Sequence, residues 1–239
     1  MAFEAVINKD LSPEERREWL NVFKQADPDN ALANYLSARD YIKTGQTDQA
    51  VQELLAASGK QQLEDYTLER VQDDQEAYLS AGYSTAEAAR IAMSWLELPQ
   101  LSQVKQLGRD LVALASAYSQ SGDPASAQAA LQLGVTMGQR YADATANPAL
   151  ISQLMGMSVE RLALNAMDPN SPYGDNGQTV QARLDQISQQ EAAIRELSRQ
   201  AEPLMPTMSD QDVLNYENRR KLFGVAAAMQ WVVSKYGQK

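Results

Sequence analysis

Histidine and cysteine, which often serve as catalytic bases, nucleophiles and metal ligands, are both missing from this sequence. Without histidine the chain lacks the commonest general base and the usual pH switch near neutrality. Without cysteine it can form neither a disulfide nor a thiolate metal site. It also contains no Gly-x-Ser-x-Gly, P-loop or Gly-x-Gly-x-x-Gly motif. We therefore expect a protein that is not an enzyme and needs no cofactor; an enzyme of unfamiliar type is the remaining alternative.

Carboxylates crowd one short segment, and paired carboxylates can transfer protons or bind two metal ions. The spacing spreads these side chains over several faces of a single helix, and the di-metal bundle motif also requires histidine. We therefore expect an ordinary solvated acidic face. The residues concerned are Glu64, Asp65, Glu69, Asp73, Asp74 and Glu76.

The segment from Asp168 to Gly177 contains two aspartates and two asparagines, side chains that ligate calcium in loops. Its spacing does not match the EF-hand pattern, because Pro169 and Pro172 interrupt it and the distal glutamate is missing. We expect a turn without metal, in which Tyr173 docks onto the core.

The chain is acidic, with 21 Lys and Arg against 31 Asp and Glu and a net charge of -10. Such a chain repels phosphate backbones and shows no concentrated basic patch, so we expect no nucleic-acid partner. The net charge favours a protein or peptide partner with a basic segment. No stretch reaches the roughly 20 apolar residues that span a bilayer. We expect a cytoplasmic protein, or a periplasmic or envelope-tethered one if an N-terminal anchor was trimmed.

Helix-start and helix-end signals recur along the chain. Capping boxes occur at residues 12–15 and 84–87, and glycines suited to left-handed helix ends follow at Gly45, Gly82 and Gly122. These signals predict about eight helices before residue 168, one of them over residues 62–80, and no strand. Two further helices, over residues 180–200 and 210–236, are predicted to pair as a hairpin.

The predicted helix over residues 148–167 is apolar on most of its circumference, which indicates burial. Gly156 lies within it and lowers helix propensity by about 1 kcal/mol. We expect a neighbouring helix to approach closely at that glycine.

Two segments, residues 31–51 and 109–128, share a pattern of residue types. In each, a small residue is followed at fixed intervals by tyrosine, glycine, alanine and leucine. The two sets are Ala38, Tyr41, Gly45, Ala50 and Leu54, and Ala115, Tyr118, Gly122, Ala127 and Leu131. Small residues let two helices touch, tyrosine fills the gap between them, and glycine closes the turn.

This pattern resembles the tetratricopeptide (TPR) repeat, as does the turn Asp27-Pro28-Asp29-Asn30. The resemblance covers about a third of the chain, and a generic stack of helical hairpins is the alternative. Equivalent alanines lie 77 residues apart, whereas a TPR unit is about 34 residues. We therefore expect one unmarked helix pair, residues 62–95, to sit between the two marked units.

The predicted fold is all-α: stacked antiparallel helix pairs, a TPR-like α-solenoid, closed by a long C-terminal helical hairpin. Residues 1–167 would form the repeat domain and residues 178–239 the hairpin, packed on the same stack as one continuous domain.

The resemblance implies that the first helix of the first unit lines a concave groove, with Asn34, Tyr35, Arg39, Ile42 and Lys43 facing a partner. These residues lack the two-lysine, two-asparagine pattern of carboxylate-clamping TPR domains. The sequence therefore predicts a non-enzymatic interaction or scaffold module that binds a peptide or helix, with an ordinary solvated face as the alternative for this surface. A soluble structural domain of an envelope-anchored bacterial protein is the second interpretation.

Overall fold

A computed structural model describes residues 2–7, 11–94, 98–144, 149–174 and 177–237. Within these ranges the fold is all-helical apart from one short strand pair. The helices are α1 (Ala2–Ile7), α2 (Pro13–Ala26), α3 (Leu32–Lys43), α4 (Thr47–Ser58), α5 (Thr67–Ser80), α6 (Thr85–Ser94), α7 (Pro99–Gln120), α8 (Pro124–Ala142), α9 (Leu150–Leu164), α10 (Val180–Ala201) and α11 (Asp210–Tyr236).

The predicted helix-start and helix-end signals are confirmed. The Ser12 hydroxyl accepts from the Glu15 amide at 3.2 Å, and the Glu15 carboxylate accepts from the Ser12 amide at 2.9 Å. Ser84 and Glu87 form the same reciprocal pair at 3.3 and 3.0 Å. Gly45, Gly82 and Gly122 follow α3, α5 and α7 with positive φ angles of 73°, 94° and 81°.

Helix α5 begins at Thr67, so the prediction of a helix from residue 62 is wrong. Residues 62–66 instead run beside the turn before α3, where Gln62 forms an isolated bridge with Asn30. The Asn30 side chain accepts from the Glu64 amide at 3.1 Å and donates to the Glu64 carbonyl at 2.9 Å. Tyr66 then adopts a left-handed conformation with φ 55°. Hydrogen bonds to a residue 34 positions away thus override the local helical pattern.

The chain after α9 contains a two-residue strand pair, β1 (Pro172–Tyr173) and β2 (Gln178–Thr179), that the sequence did not predict. Such short strands carry no measurable period-two alternation.

Helix α11 is broken at Gly224, whose φ of 81° and ψ of 167° are not helical. The Lys235 ammonium lies 2.6 Å from the Asp212 carboxylate, so residues 225–236 fold back along residues 210–223. The prediction of one continuous C-terminal helix is therefore wrong. Glycine permits this reversal because it has no Cβ to clash in a left-handed conformation.

The two helix pairs with the shared pattern, α3–α4 and α7–α8, pack directly on each other. Helix α3 contacts α7, and α4 contacts α8. The Arg140 guanidinium donates to the carbonyls of Ala57, Lys60 and Gln62 at 2.6–2.8 Å, closing the end of α4. The expected intervening position of residues 62–95 is wrong, because α5 and α6 pack on each other and α6 packs on α11.

Helices α8 and α9 approach closely at two glycines, as the sequence predicted for Gly156. A Cβ added to Gly138 would lie 2.4 Å from the Glu160 amide nitrogen. A Cβ added to Gly156 would lie 2.2 Å from the Ala142 amide nitrogen. Both obstacles are backbone atoms, so relief would require the two helices to separate.

We predict that Gly138→Ala destabilises the protein by about 3 kcal/mol or more, because overpacking against backbone cannot be relieved by a rotamer change. In a chain of this size the melting temperature should fall by roughly 6–12 °C, measured by calorimetry. The control is Gly59→Ala, whose Cβ would meet its nearest neighbour at an ordinary 3.7 Å. Equal melting temperatures for both variants would contradict the close packing of α8 and α9.

Candidate functional site

Helix α7 packs directly on α3, the helix that was predicted to line a groove. Tyr35 is 2% exposed and Asn34 is 4% exposed. The Asn34 amide donates to the Glu53 carboxylate on α4 at 2.6 Å. Tyr35 is therefore an interior residue, contrary to the expectation that it faces an open groove. Asn34 is held by α4 and borders a different open cleft, together with Lys24, Tyr41, Gln49, Gln52, Glu53 and Ala56.

The other three predicted residues lie near the C-terminal end of α3. Ile42 is half-buried against the core. Arg39 and Lys43 line a narrow cleft between α1, α2, α3 and α7, together with Val6, Arg16, Leu20, Leu36, Asp40 and Gln103. Its volume of about 10 Å³ is room for one water molecule. Because the cleft is so small, a partner could contact Arg39 and Lys43 only at its mouth. Partner binding by these two residues stays a prediction.

Positive charge is crowded at this cleft. The Nε atom of Arg39 is buried without a hydrogen-bond partner among the described residues. Burial lowers the pKa of Arg39, and Arg16 adds to that effect while Asp110 and Asp40 oppose it. The pKa of Lys43 is also lowered, chiefly because Arg39 is near and secondarily by burial. The mouth of this cleft therefore carries more positive than negative charge, although the chain as a whole is acidic.

We predict that Arg39→Met stabilises the protein by about 0.5–1 kcal/mol, because it removes the buried, unsatisfied Nε donor. The gain is small because solvent reaches the rest of the Arg39 side chain. Thermal unfolding should show a melting temperature about 1–4 °C higher. Arg17→Met is the matched control, since Arg17 pairs with Asp40 at 3.3 Å and stacks over Tyr41. A lower melting temperature for Arg39→Met would show that Arg39 contributes to the fold itself.

The carboxylates of residues 64–76 do not form one cluster. Glu69, Asp73, Asp74 and Glu76 are exposed on α5. Asp65 precedes the helix and is buried, accepting from the Thr67 amide at 3.1 Å and from the Ser152 hydroxyl at 2.9 Å. Burial and then the nearby Glu69 raise the pKa of Glu64 to about 7. In the part of the chain that the structure describes, no three such side chains converge as metal ligands.

Tyr173 docks the turn after α9 onto the core, as predicted, through a buried carboxylate. The Tyr173 hydroxyl donates to Glu160 at 2.8 Å. Burial and then this hydrogen bond hold the pKa of Tyr173 well above its usual value. Asp175 and Asn176, two of the residues considered for calcium, lie outside the described residues.

Glu160 on α9 is fully buried and joins three other elements. The Arg183 guanidinium on α10 reaches its two oxygens at 2.8 and 2.9 Å. The Gln139 amide on α8 donates to the same carboxylate at 3.2 Å. The hydrogen bonds to Glu160 raise the pKa of Arg183. The sequence could not reveal this pair, since its members lie 23 residues apart in different helices.

A larger, mainly apolar cleft lies where α6, residues 202–208 and α11 meet, with a volume of about 500 Å³. We call it the methionine cleft. It is lined by the mostly apolar residues Met205, Pro206, Met208, Val213, Tyr216 and Met229, together with the charged residues Arg90 and Glu202. The Arg90 guanidinium donates to Asp210 at 3.0 Å and to the Met208 carbonyl at 3.2 Å. Its methionines are dispersed in the sequence and carry no pattern that could have predicted it.

Comparison with known proteins gives no match to a family model, to a curated protein or to a solved structure. Among the described residues, no helix combines the length and apolar character that crossing a bilayer requires.

Proposed function

We propose that this protein is a non-enzymatic interaction module that binds a helical or peptide segment of another protein, and that the methionine cleft receives that segment. The observation that carries the proposal is an apolar concavity of about 500 Å³. That volume lies within the range of roughly 300–1,000 Å³ that is typical of ligand-binding clefts.

The chemistry of the lining supports a protein ligand. Methionine side chains are unbranched and polarizable, so they adapt to apolar side chains of different shapes. Arg90 and Glu202 carry opposite charges at the same cleft and could orient a bound segment by its own charges. Tyr216 adds an aromatic surface, a residue type enriched at protein interfaces.

The N-terminal helices would act as the scaffold, as a divergent TPR-like stack. Two helix pairs with the shared residue pattern pack on each other, which supports this proposal. Because α7 packs on α3 and Tyr35 is buried, we place binding in the C-terminal part of the chain.

The test is a selection of binders from a random peptide display library against the whole protein, mapped by NMR of its methionine methyl groups. We predict that bound peptides shift the signals of Met205, Met208 and Met229. We also predict that Met205→Glu weakens binding tenfold or more, because it places a charge in an apolar contact. Leu55→Glu is the control, since Leu55 is 59% exposed on α4, away from the cleft.

The proposal would be wrong if the selected peptides left the three methionine signals unchanged, or if Met205→Glu and Leu55→Glu bound them equally well.

A further inference from the structure

The reversal at Gly224 exposes two large apolar side chains next to each other. Leu222 is 73% exposed and Phe223 is 66% exposed, the highest values among the exposed large hydrophobic residues that the structure describes. Single exposed apolar residues are common on protein surfaces. Two adjacent ones at a chain reversal, beside a tryptophan, form a patch of the kind that marks interaction sites.

These side chains border an open groove of about 590 Å³ between the two halves of α11. We call it the hairpin groove. It is lined by Leu222, Phe223, Trp231, Arg219, Lys235 and two asparagines. Trp231 is partly buried, so its ring lies recessed relative to the two exposed apolar side chains. No lining residue of the hairpin groove also lines the methionine cleft.

Two cations flank the tryptophan ring. The Arg219 guanidinium carbon lies 5.2 Å from the ring centroid, and the Lys235 ammonium lies 5.3 Å from it. Lys235 also pairs with Asp212 at 2.6 Å. Arg219 has no carboxylate within ion-pair distance in the described part of the chain. The cation–π contacts stabilise the positions of both side chains, and the Arg219 guanidinium has five N–H donors.

The local charge is opposite to that of the whole molecule. Helix α11 contains four basic and three acidic residues, whereas the chain carries a net charge of -10. Two of the three acids are already paired: the buried Glu217 pairs with Arg220 at 2.7 Å, and Asp212 pairs with Lys235 at 2.6 Å. The groove therefore keeps the positive charge of Arg219, while Asp212 offsets that of Lys235.

We propose that the hairpin groove docks a partner protein through a segment that carries a bulky apolar side chain flanked by Asp or Glu. The apolar side chain packs on Trp231 between Leu222 and Phe223, and the carboxylates meet Arg219 and Lys235. Arginine and aromatic residues are the types that dominate binding energy at protein interfaces. This surface is distinct from the methionine cleft, so it can hold a second segment.

The geometry favours a protein segment over a lipid surface. A bilayer would meet the protruding Leu222 and Phe223 but would not reach the recessed Trp231 ring. The remainder of the chain is strongly acidic and is repelled by anionic lipids within the range of a Debye length, about 8 Å at physiological salt. A protein segment can follow the concave surface and satisfies the positive charge locally.

The test uses two synthetic helical peptides that share Leu and Phe at helical spacing and differ only in having flanking Glu or flanking Lys residues. The protein has three tryptophans, so its indole N–H signals are few, and Trp231→Phe identifies that of Trp231. We expect saturable movement of this signal with the Glu peptide and none with the Lys peptide. Leu222→Ser with Phe223→Ser, and separately Arg219→Glu, should weaken the Glu peptide by about 10–100-fold.

The controls are Leu55→Ser and Arg195→Glu, exposed positions elsewhere on the chain, and both should leave the peptide affinity unchanged. Two further measurements separate other occupants: sedimentation with phosphatidylserine vesicles, and sedimentation velocity of the protein alone. The proposal is overturned if the Glu peptide causes no saturable shift or if the Lys peptide binds as well. It is also overturned if Leu222→Ser with Phe223→Ser abolishes vesicle binding or self-association while leaving the peptide affinity intact.

Discussion

The fully buried carboxylate of Glu160 is the interaction on which the arrangement of the two halves of the chain depends. An ionised carboxylate cannot be removed from water at tolerable cost unless it is paired and hydrogen-bonded. Arg183 supplies the opposite charge, and Tyr173 and Gln139 complete the hydrogen bonding. Because Arg183 lies on α10 and Tyr173 on β1, the same pair ties the C-terminal part of the chain to α9.

The position of Glu160 depends in turn on the glycine contact between α8 and α9. Gly138 lies against the backbone of Glu160 itself, and Gly156 lies against Tyr141 and Ala142. The backbones can approach this closely only where no Cβ intervenes. Two glycines thus let α8 approach α9 at Glu160, and Glu160 holds the first turn of α10 through Arg183. These contacts position α10, and α10 packs on α11. The binding surfaces that we propose lie on α11.

Much of the fold could be predicted from the sequence, because its signals are local. Capping boxes act over three residues, and Gly45, Gly82 and Gly122 end their helices by their own φ angles. The strand pair β1–β2 was missed because it is too short to show a period, and the other failures were long-range. The helix predicted over residues 210–236 is interrupted at Gly224, where the chain reverses and brings Lys235 to Asp212. The start of α5 was misplaced because Asn30 holds residues 62–66.

The candidate site was harder to predict than the fold. Assigning Asn34 and Tyr35 to one groove assumed a single open face of α3, and only tertiary packing reveals α7 against α3 and the Asn34 bond to Glu53 on α4. The methionine cleft brings together side chains from residues 90 to 229, and no spacing rule connects them. The hairpin groove exists only because the chain reverses at Gly224.

Amide hydrogen exchange of Glu160→Gln tests most directly whether the buried carboxylate attaches the C-terminal half. Gln keeps the size of the side chain but leaves the Arg183 charge without its partner. We predict that the amides of α10 and of β1 and β2 exchange about 100-fold faster, corresponding to the roughly 3 kcal/mol lost when a buried pair is broken. Amides of α3 and α4, on the far side of α7 and α8, should exchange at unchanged rates. Unchanged exchange in α10, or equal acceleration throughout the chain, would contradict the role that we assign to Glu160.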